Sequence, residues 1–220
     1  MNIARAIDHT LLKADATESD ILKLCGEARK FGFFSVCVNS SWVPVAAKAL
    51  EGSDVLVAAV TGFPLGAMDS EAKAFETRRA VDGGAGEIDT VLAIGRLKAG
   101  DEGGVLGDLR GVVEAAGTAG VKVVLETCLL SREEKLAACR LSCEAGAAFV
   151  KTSTGFSTGG ATIEDVRLMA DAVGGRCLVK ASGGIRDAAS ALAMIQAGAS
   201  RLGTSNGIAI VKGTTTAQDY

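Results

Sequence analysis

The 220-residue chain reads as one α/β domain over residues 1–220, a closed parallel (β/α)8 barrel of the TIM type. Three observations predict it. Eight short runs rich in Val, Ile and Leu alternate with helical patterns, and the length suits a barrel of this kind. Helical patterns repeatedly stop at a glycine just before the next apolar run. No G-x-G-x-x-G follows an early strand, which counts against a doubly wound dinucleotide-binding sheet.

In order, the apolar runs lie near 5–11, 35–39, 55–62, 87–94, 121–127, 147–153, 177–182 and 201–205. Their alternation is weak, as it is in strands that helices cover on the outside. ARKFGFFSV, VDGGAGEIDTV, GTAGVKVVL, EAGAAFVKT and QAGASRLGT each end a helical pattern at glycine and begin a strand shortly after. Glycine suits the residue after a helix because it takes the left-handed conformation at little cost. Helix starts are marked as well. Thr17–Asp20, Ser131–Glu134 and Thr162–Asp165 resemble capping boxes, in which a hydroxyl and a carboxylate reciprocally satisfy backbone N–H groups. No linker or low-complexity tract divides the chain.

Composition excludes several classes of function. Hydrophobic residues make up 48%, yet no apolar run approaches the roughly 20 residues of a membrane span. A formal charge of −3 without a basic stripe argues against nucleic acid as a partner. The single histidine, His9, and six cysteines without a C-x-x-C pair give no metal-ligand pattern, so neither metal nor cofactor is expected. The cysteines fit reduced thiols in the cytoplasm, with Cys139 and Cys143 sharing one helix face for core packing.

Two strands break the apolar rule. FVKTST (149–154) and LVKASGG (178–184) each place a lysine, Lys151 and Lys180, inside a run where burying an ammonium is costly. In a parallel barrel these strands are neighbours about 4.8 Å apart, and catalytic groups lie at the C-terminal strand ends. Side-chain parity puts Phe149, Lys151 and Ser153 inward, with Leu178, Lys180 and Ser182 inward on the next strand. Two ammonium groups so placed oppose each other's protonation. A free amine attacks a carbonyl, and the resulting iminium is an electron sink that lets a neighbouring carbon–carbon bond break. Asp89 in GEIDTVLAI is a third candidate, a carboxylate that the lysines would pair with and that could relay protons. Glu87 shares its face and is the alternative structural partner. The turns at Gly183-Gly184 and Gly203–Gly207 stand where barrels bind phosphate, with Ser205 and Asn206 as side-chain donors and Ser182 and Arg186 nearby.

IDHTLLK (7–13), SVCVNSSWVPVA (35–46), VTGFPLGA (60–67), GEIDTVLAIG (86–95), FVKTSTGF (149–156), VKASGGIRD (179–187) and RLGTSNG (201–207) together resemble the deoxyribose-phosphate aldolases from first strand to last. The resemblance implies reversible cleavage of 2-deoxy-D-ribose 5-phosphate to D-glyceraldehyde 3-phosphate and acetaldehyde, in nucleoside catabolism. It implies Lys151 as the Schiff-base lysine, Lys180 as the lysine that perturbs it and Asp89 as the proton-relay acid. Gly155, Gly183, Gly184, Gly203 and Ser205 fall where that family binds phosphate. Asn206 replaces a second serine. Asp8 and Cys37 match residues near the sugar or aldehyde, and Tyr220 matches a C-terminal tyrosine that some members place in the site. A homodimer or homotetramer is implied. The rival readings are another Schiff-base phosphosugar aldolase, a metal-free phosphosugar isomerase with Asp89 as base, and a non-catalytic phosphate-binding barrel.

Overall fold

The computed structural model describes residues 2–214. Eight parallel strands close in chain order: β1 (Ile7–Leu11), β2 (Ser35–Asn39), β3 (Leu56–Thr61), β4 (Glu87–Val91), β5 (Gly120–Val124), β6 (Phe149–Lys151), β7 (Leu178–Ser182) and β8 (Arg201–Thr204). β8 returns to β1 with Ile7 opposite Leu202 and Asp8 opposite Gly203. The register that governs the interior sets Lys151 against Lys180, and Asp89 against Lys122.

Among the described residues nine α-helices surround the strands: α1 (Glu18–Phe31), α2 (Val43–Ala49), α3 (Ser70–Asp82), α4 (Ile94–Lys98), α5 (Glu102–Ala116), α6 (Arg132–Glu144), α7 (Ile163–Val173), α8 (Ala188–Gln196) and α9 (Gly207–Lys212). Reciprocal capping boxes start α1 at Thr17 and Asp20, and α6 at Ser131 and Glu134. At α7 only the Thr162 hydroxyl accepts, from the Asp165 N–H at 3.0 Å. A further box, Asp187 with Ser190, starts α8.

The main core lies between the strands' outward faces and the helices, where Val36, Val38, Ile88, Val150, Val179 and Leu202 are buried together. This follows the predicted parity, because Val150 and Val179 flank the lysines in sequence and take the opposite face. Leu178 departs from it: it opens β7 and is half exposed rather than packed in the barrel. Several runs overshoot the strands. Ile3–Ala6 is a 3₁₀ turn, and the apolar Leu92 and Leu125 just after β4 and β5 lie past the strand ends, packed in the main core. β6 has only three residues. Beyond it the Thr152 hydroxyl replaces the ladder, accepting from the Ser182 N–H and donating to the Ser182 carbonyl, both at 3.0 Å.

The reading of all six cysteines as reduced thiols is corrected. Cys143 at the end of α6 and Cys177 before β7 are disulfide-bonded, with Cα atoms 6.0 Å apart. Cys139 packs in the core and Cys128 is exposed. His9 faces the helices, where Nε2 lies 2.8 Å from Glu27 Oε2 and the ring packs on Phe33. No helix among the described residues is long and apolar enough to cross a membrane.

Candidate active site

The inside of the barrel is divided. Around β2 and β3 it is apolar, with Leu12, Cys37, Ala58 and Val60 in one cluster under Phe63. From β4 round to β1 it is charged. Barrels ordinarily fill this space with branched apolar side chains, so the charges mark the chemistry.

Asp89 occupies the centre of the charged part, fully buried. Its Oδ2 accepts from Lys151 Nζ and Lys180 Nζ, each at 2.8 Å, and its Oδ1 accepts from Lys122 Nζ at 2.9 Å. Lys180 also reaches Asp8 Oδ2 at 2.5 Å. Lys122 also reaches Glu87 at 2.7 Å. Arg201 spans Asp8 at 2.9 Å and Glu87 at 3.1 Å, and its guanidinium lies over the Phe34 ring at 3.4 Å. Four cationic side chains therefore share three carboxylates. Lys122, Lys180 and Arg201 each touch at least two of them, whereas Lys151 touches Asp89 alone.

The counter-charges reverse one expectation. The sequence reading has the two lysines opposing each other's protonation with Asp89 as their carboxylate partner, and Asp89 does accept from both, but Lys180 does not lose its charge. Burial pulls the Lys180 ammonium down, yet the Asp8 and Asp89 carboxylates beside it hold it well above the ordinary lysine range. Lys180 is thus a standing positive charge at neutral pH. Burial alone would raise Asp89, but Lys122, Lys151 and Lys180 hold it well below the usual carboxylate range. Asp8, which is wholly buried, is likewise lowered by Lys180, Lys122 and Arg201 against its burial. Cys37 is in the apolar part, and burial, then the nearby Asp89 charge, pushes its thiol up to about 11.

Above this cluster lie the glycine turns. Gly155, Gly183, Gly184 and Arg186 line one cleft, and Gly184, Arg186, Gly203, Ser205 and Asn206 line the adjoining one. Gly183 and Gly184 hold consecutive positive φ angles of 86° and 76°, a turn that exposes backbone N–H groups. Gly203 has a different reason to be glycine. A Cβ there would lie 3.0 Å from both Lys180 Cε and Ser182 Cβ, so the absent side chain makes room for the lysine. Asn206 donates its N–H to Thr204 Oγ1 at 2.9 Å and its Nδ2 to Ser205 Oγ at 3.4 Å. Ser182 donates to the Ser153 carbonyl at 2.5 Å. Tyr220 lies outside the described residues.

Lys122 and Arg201 in the charged network, and the buried Glu126 beyond β5, are absent from the sequence reading. Four strand cations at inward parity on β5 to β8 are the signal that would have found the first two. Among the described residues, no three His, Cys, Asp or Glu side chains are grouped to hold a metal ion.

A parallel barrel that carries an amine in a buried carboxylate network toward its C-terminal face is equipped for Schiff-base chemistry on a carbonyl. Residues 2–214 match the model of the DeoC/LacD family aldolases, and the chain belongs to that family. It is 59% identical over 220 residues to the deoxyribose-phosphate aldolase of Geobacillus sp. (strain WCH70), covering 100% of this chain and 99% of that protein. The deoxyribose-phosphate aldolase of Streptococcus pneumoniae serotype 19F is 57% identical with both chains fully covered. The solved tetrameric deoxyribose phosphate aldolase from Aeropyrum pernix superposes with a TM-score of 0.89 at 33% identity, over 96% of this chain and 89% of that one.

Proposed function

We propose that this chain reversibly cleaves 2-deoxy-D-ribose 5-phosphate to D-glyceraldehyde 3-phosphate and acetaldehyde, with Lys151 as the nucleophile. The observation that carries the assignment is the uneven sharing of charge. Lys180, Lys122 and Arg201 are each held on two sides, while Lys151 has one carboxylate contact and sits last on its strand, at the mouth. Its nitrogen is the one free to turn toward a carbonyl.

Lys151 Nζ attacks C1 of the open-chain sugar, and loss of water gives the iminium. Loss of the C3 hydroxyl proton forms the C3 carbonyl and breaks C2–C3. The bonding pair moves to C1–C2, and the iminium electrons move onto nitrogen, giving an enamine and glyceraldehyde 3-phosphate. Protonation at C2 and uptake of the water lost earlier release acetaldehyde and the amine. Asp89 Oδ2, within 2.8 Å of both nitrogens, is the atom through which protons pass during formation and hydrolysis of the imine. Lys180 supplies fixed positive charge beside the iminium. The phosphate is held at Gly155, Gly183, Gly184, Gly203, Ser205 and Asn206, supported by their common clefts. Asp8 acts through Lys180, and Cys37 lines the apolar side where a two-carbon fragment fits.

Residues 1–220 are read as one aldolase domain, supported by a barrel whose first and last strands pair. A cytoplasmic homodimer or homotetramer is the assembly proposed, supported by the tetrameric relative and by exposed Leu65, Met68 and Phe75 on and before α3. The test of function is borohydride reduction with acetaldehyde followed by peptide mapping. A reduced two-carbon adduct on Lys151 is expected. Its absence from every lysine refutes the Schiff-base reading, and its presence on Lys180 reverses the two roles.

A further inference from the structure

Glu126 takes no part in the steps above, yet three observations single it out. Among the described residues it is the only non-glycine residue with positive φ, at 55°, a conformation that side chains adopt rarely. It is buried, and no cation lies within ion-pair distance among the described residues. Its carboxylate is spent chiefly on Thr154 instead, with the Cys128 thiol donating to Oε1 at 3.9 Å. Oε2 accepts from the Thr154 hydroxyl in a short hydrogen bond and from the Thr154 N–H at 3.3 Å. The third observation explains how it gets there. The Leu125 N–H donates to the Lys151 carbonyl at 2.8 Å and the Thr127 N–H to the Thr152 carbonyl at 3.0 Å. Donors two residues apart thus use carbonyls one residue apart, so Glu126 is an extra residue on the β5 side. That is a bulge, a device that re-aims a side chain.

We infer that Glu126 is a positioning residue for the phosphate end of the substrate, acting through Thr154 on the loop that follows Lys151. Thr154 Oγ1 donates to Glu126 and accepts from the Phe156 N–H at 3.0 Å. Gly155, with φ of 88°, is therefore held between two anchored residues and presented to the cleft it shares with Gly183, Gly184 and Arg186. The far end of the same loop meets the β3 loop, where Phe156 packs edge-on to Phe63 at 5.2 Å. The hydroxyl has one proton and gives it to the carboxylate. Its orientation is fixed by Glu126, so the Phe156 N–H always finds a lone pair. This inference rests on the phosphate reading of the glycine turns.

The test compares deoxyribose 5-phosphate with unphosphorylated deoxyribose in Glu126→Gly, Thr154→Val and Thr154→Ser. Glycine tolerates the left-handed backbone, so Glu126→Gly removes the carboxylate without straining the chain. Glu126→Gly and Thr154→Val should each raise KM for the phosphorylated substrate about tenfold, the effect of losing a hydrogen bond to a charged group. Activity on deoxyribose and borohydride trapping at Lys151 should stay within about twofold of the parent, and Thr154→Ser should restore KM. Should Glu126→Gly fail to fold, the Thr154 pair carries the same comparison. An unchanged KM, or equal losses on both substrates, overturns the inference. Ser205→Glu, which sets a carboxylate against the phosphate, separates the two readings. If it discriminates between the substrates while Glu126→Gly does not, the phosphate site stands and Glu126 has no part in it. If Ser205→Glu affects both equally, the phosphate is not held at these turns and the inference falls with that site.

Discussion

Lys73 and Lys151 are both buried lysines, and the difference between them separates support from chemistry. Lys73, on the inner face of α3, donates to Asp108 Oδ2 at 2.6 Å and to the Val91 carbonyl at 3.0 Å. The ion pair is one to one and outside the barrel. Lys151, inside it, donates to Asp89 Oδ2, an oxygen that Lys180 also uses. A lysine whose partners are its own is fixed in place and serves the fold. A lysine that shares its counter-ion with a better-held cation keeps a nitrogen for a substrate. Burial is common to both, so burial alone identifies neither.

The comparison breaks first at Lys151→Ala. Adduct formation and turnover should vanish, a loss on the order of 10⁴-fold or more, while the thermal midpoint moves little. A folded alanine variant that still traps acetaldehyde would place the nucleophile elsewhere. Lys73→Met should do the opposite. Removing one partner strands Asp108 in the interior, a cost of about 3–5 kcal/mol in urea unfolding, while kcat of the folded protein is retained. A fall in kcat at unchanged stability would show that the outer pair reaches the site after all.

Lys180→Leu sharpens the contrast within the cluster. Because Asp8 and Asp89 hold Lys180 above the ordinary lysine range, it stays charged through the working pH range. Removing that charge favours a second ammonium nearby, so the rising limb of the kcat/KM profile should move alkaline. The expected shift is at least about one pH unit, equivalent to about 1.4 kcal/mol. Lys180→Arg keeps the charge and should leave the limb in place. A leucine variant that forms the imine yet turns over at no pH would make Lys180 a direct proton carrier. The smallest effect concerns the thiols. Burial raises Cys25 and Cys37 to about 11 and Cys139 to about 12. Iodoacetamide at pH 8 should therefore label the exposed Cys128 first, read by peptide mass. Prompt labelling of Cys37 would mean that the apolar side of the barrel admits water and reagent freely.

What was legible in the sequence follows from where a residue breaks its local rule. Lys151, Lys180 and Asp89 stand in the middle or at the end of apolar runs, where a charge demands explanation. Arg201 opens its strand, where a charge is ordinary, and Lys122 comes second in the apolar run that begins at Val121, so neither drew notice although Lys122 is central in β5. Glu126 could not be read at all, because a left-handed position is announced by glycine and not by glutamate, and its purpose lies in a threonine 28 positions away. The pairing of Cys143 with Cys177 is equally silent, since it depends on how α6 returns beside β7. Strand number was readable from the recurring runs, whereas strand ends were not. Leu125 and Leu92 continue an apolar run in sequence, but in the fold they already lie past the strand ends, packed in the main core.

The closure of β8 on β1 has a consequence for how the enzyme comes into being. Asp8 meets Arg201 across 193 residues of chain, and Lys180 needs Asp8 as well as Asp89. Synthesis at about 5–20 residues per second leaves the first strand waiting roughly 10–40 s for its partner. Until then the interior cations lack one of their carboxylates. Shortened products therefore carry Lys151 but neither the finished wall around it nor the full set of charges beside it. Completion of the barrel and the onset of activity are one late event, governed by the longest-range contacts in the molecule.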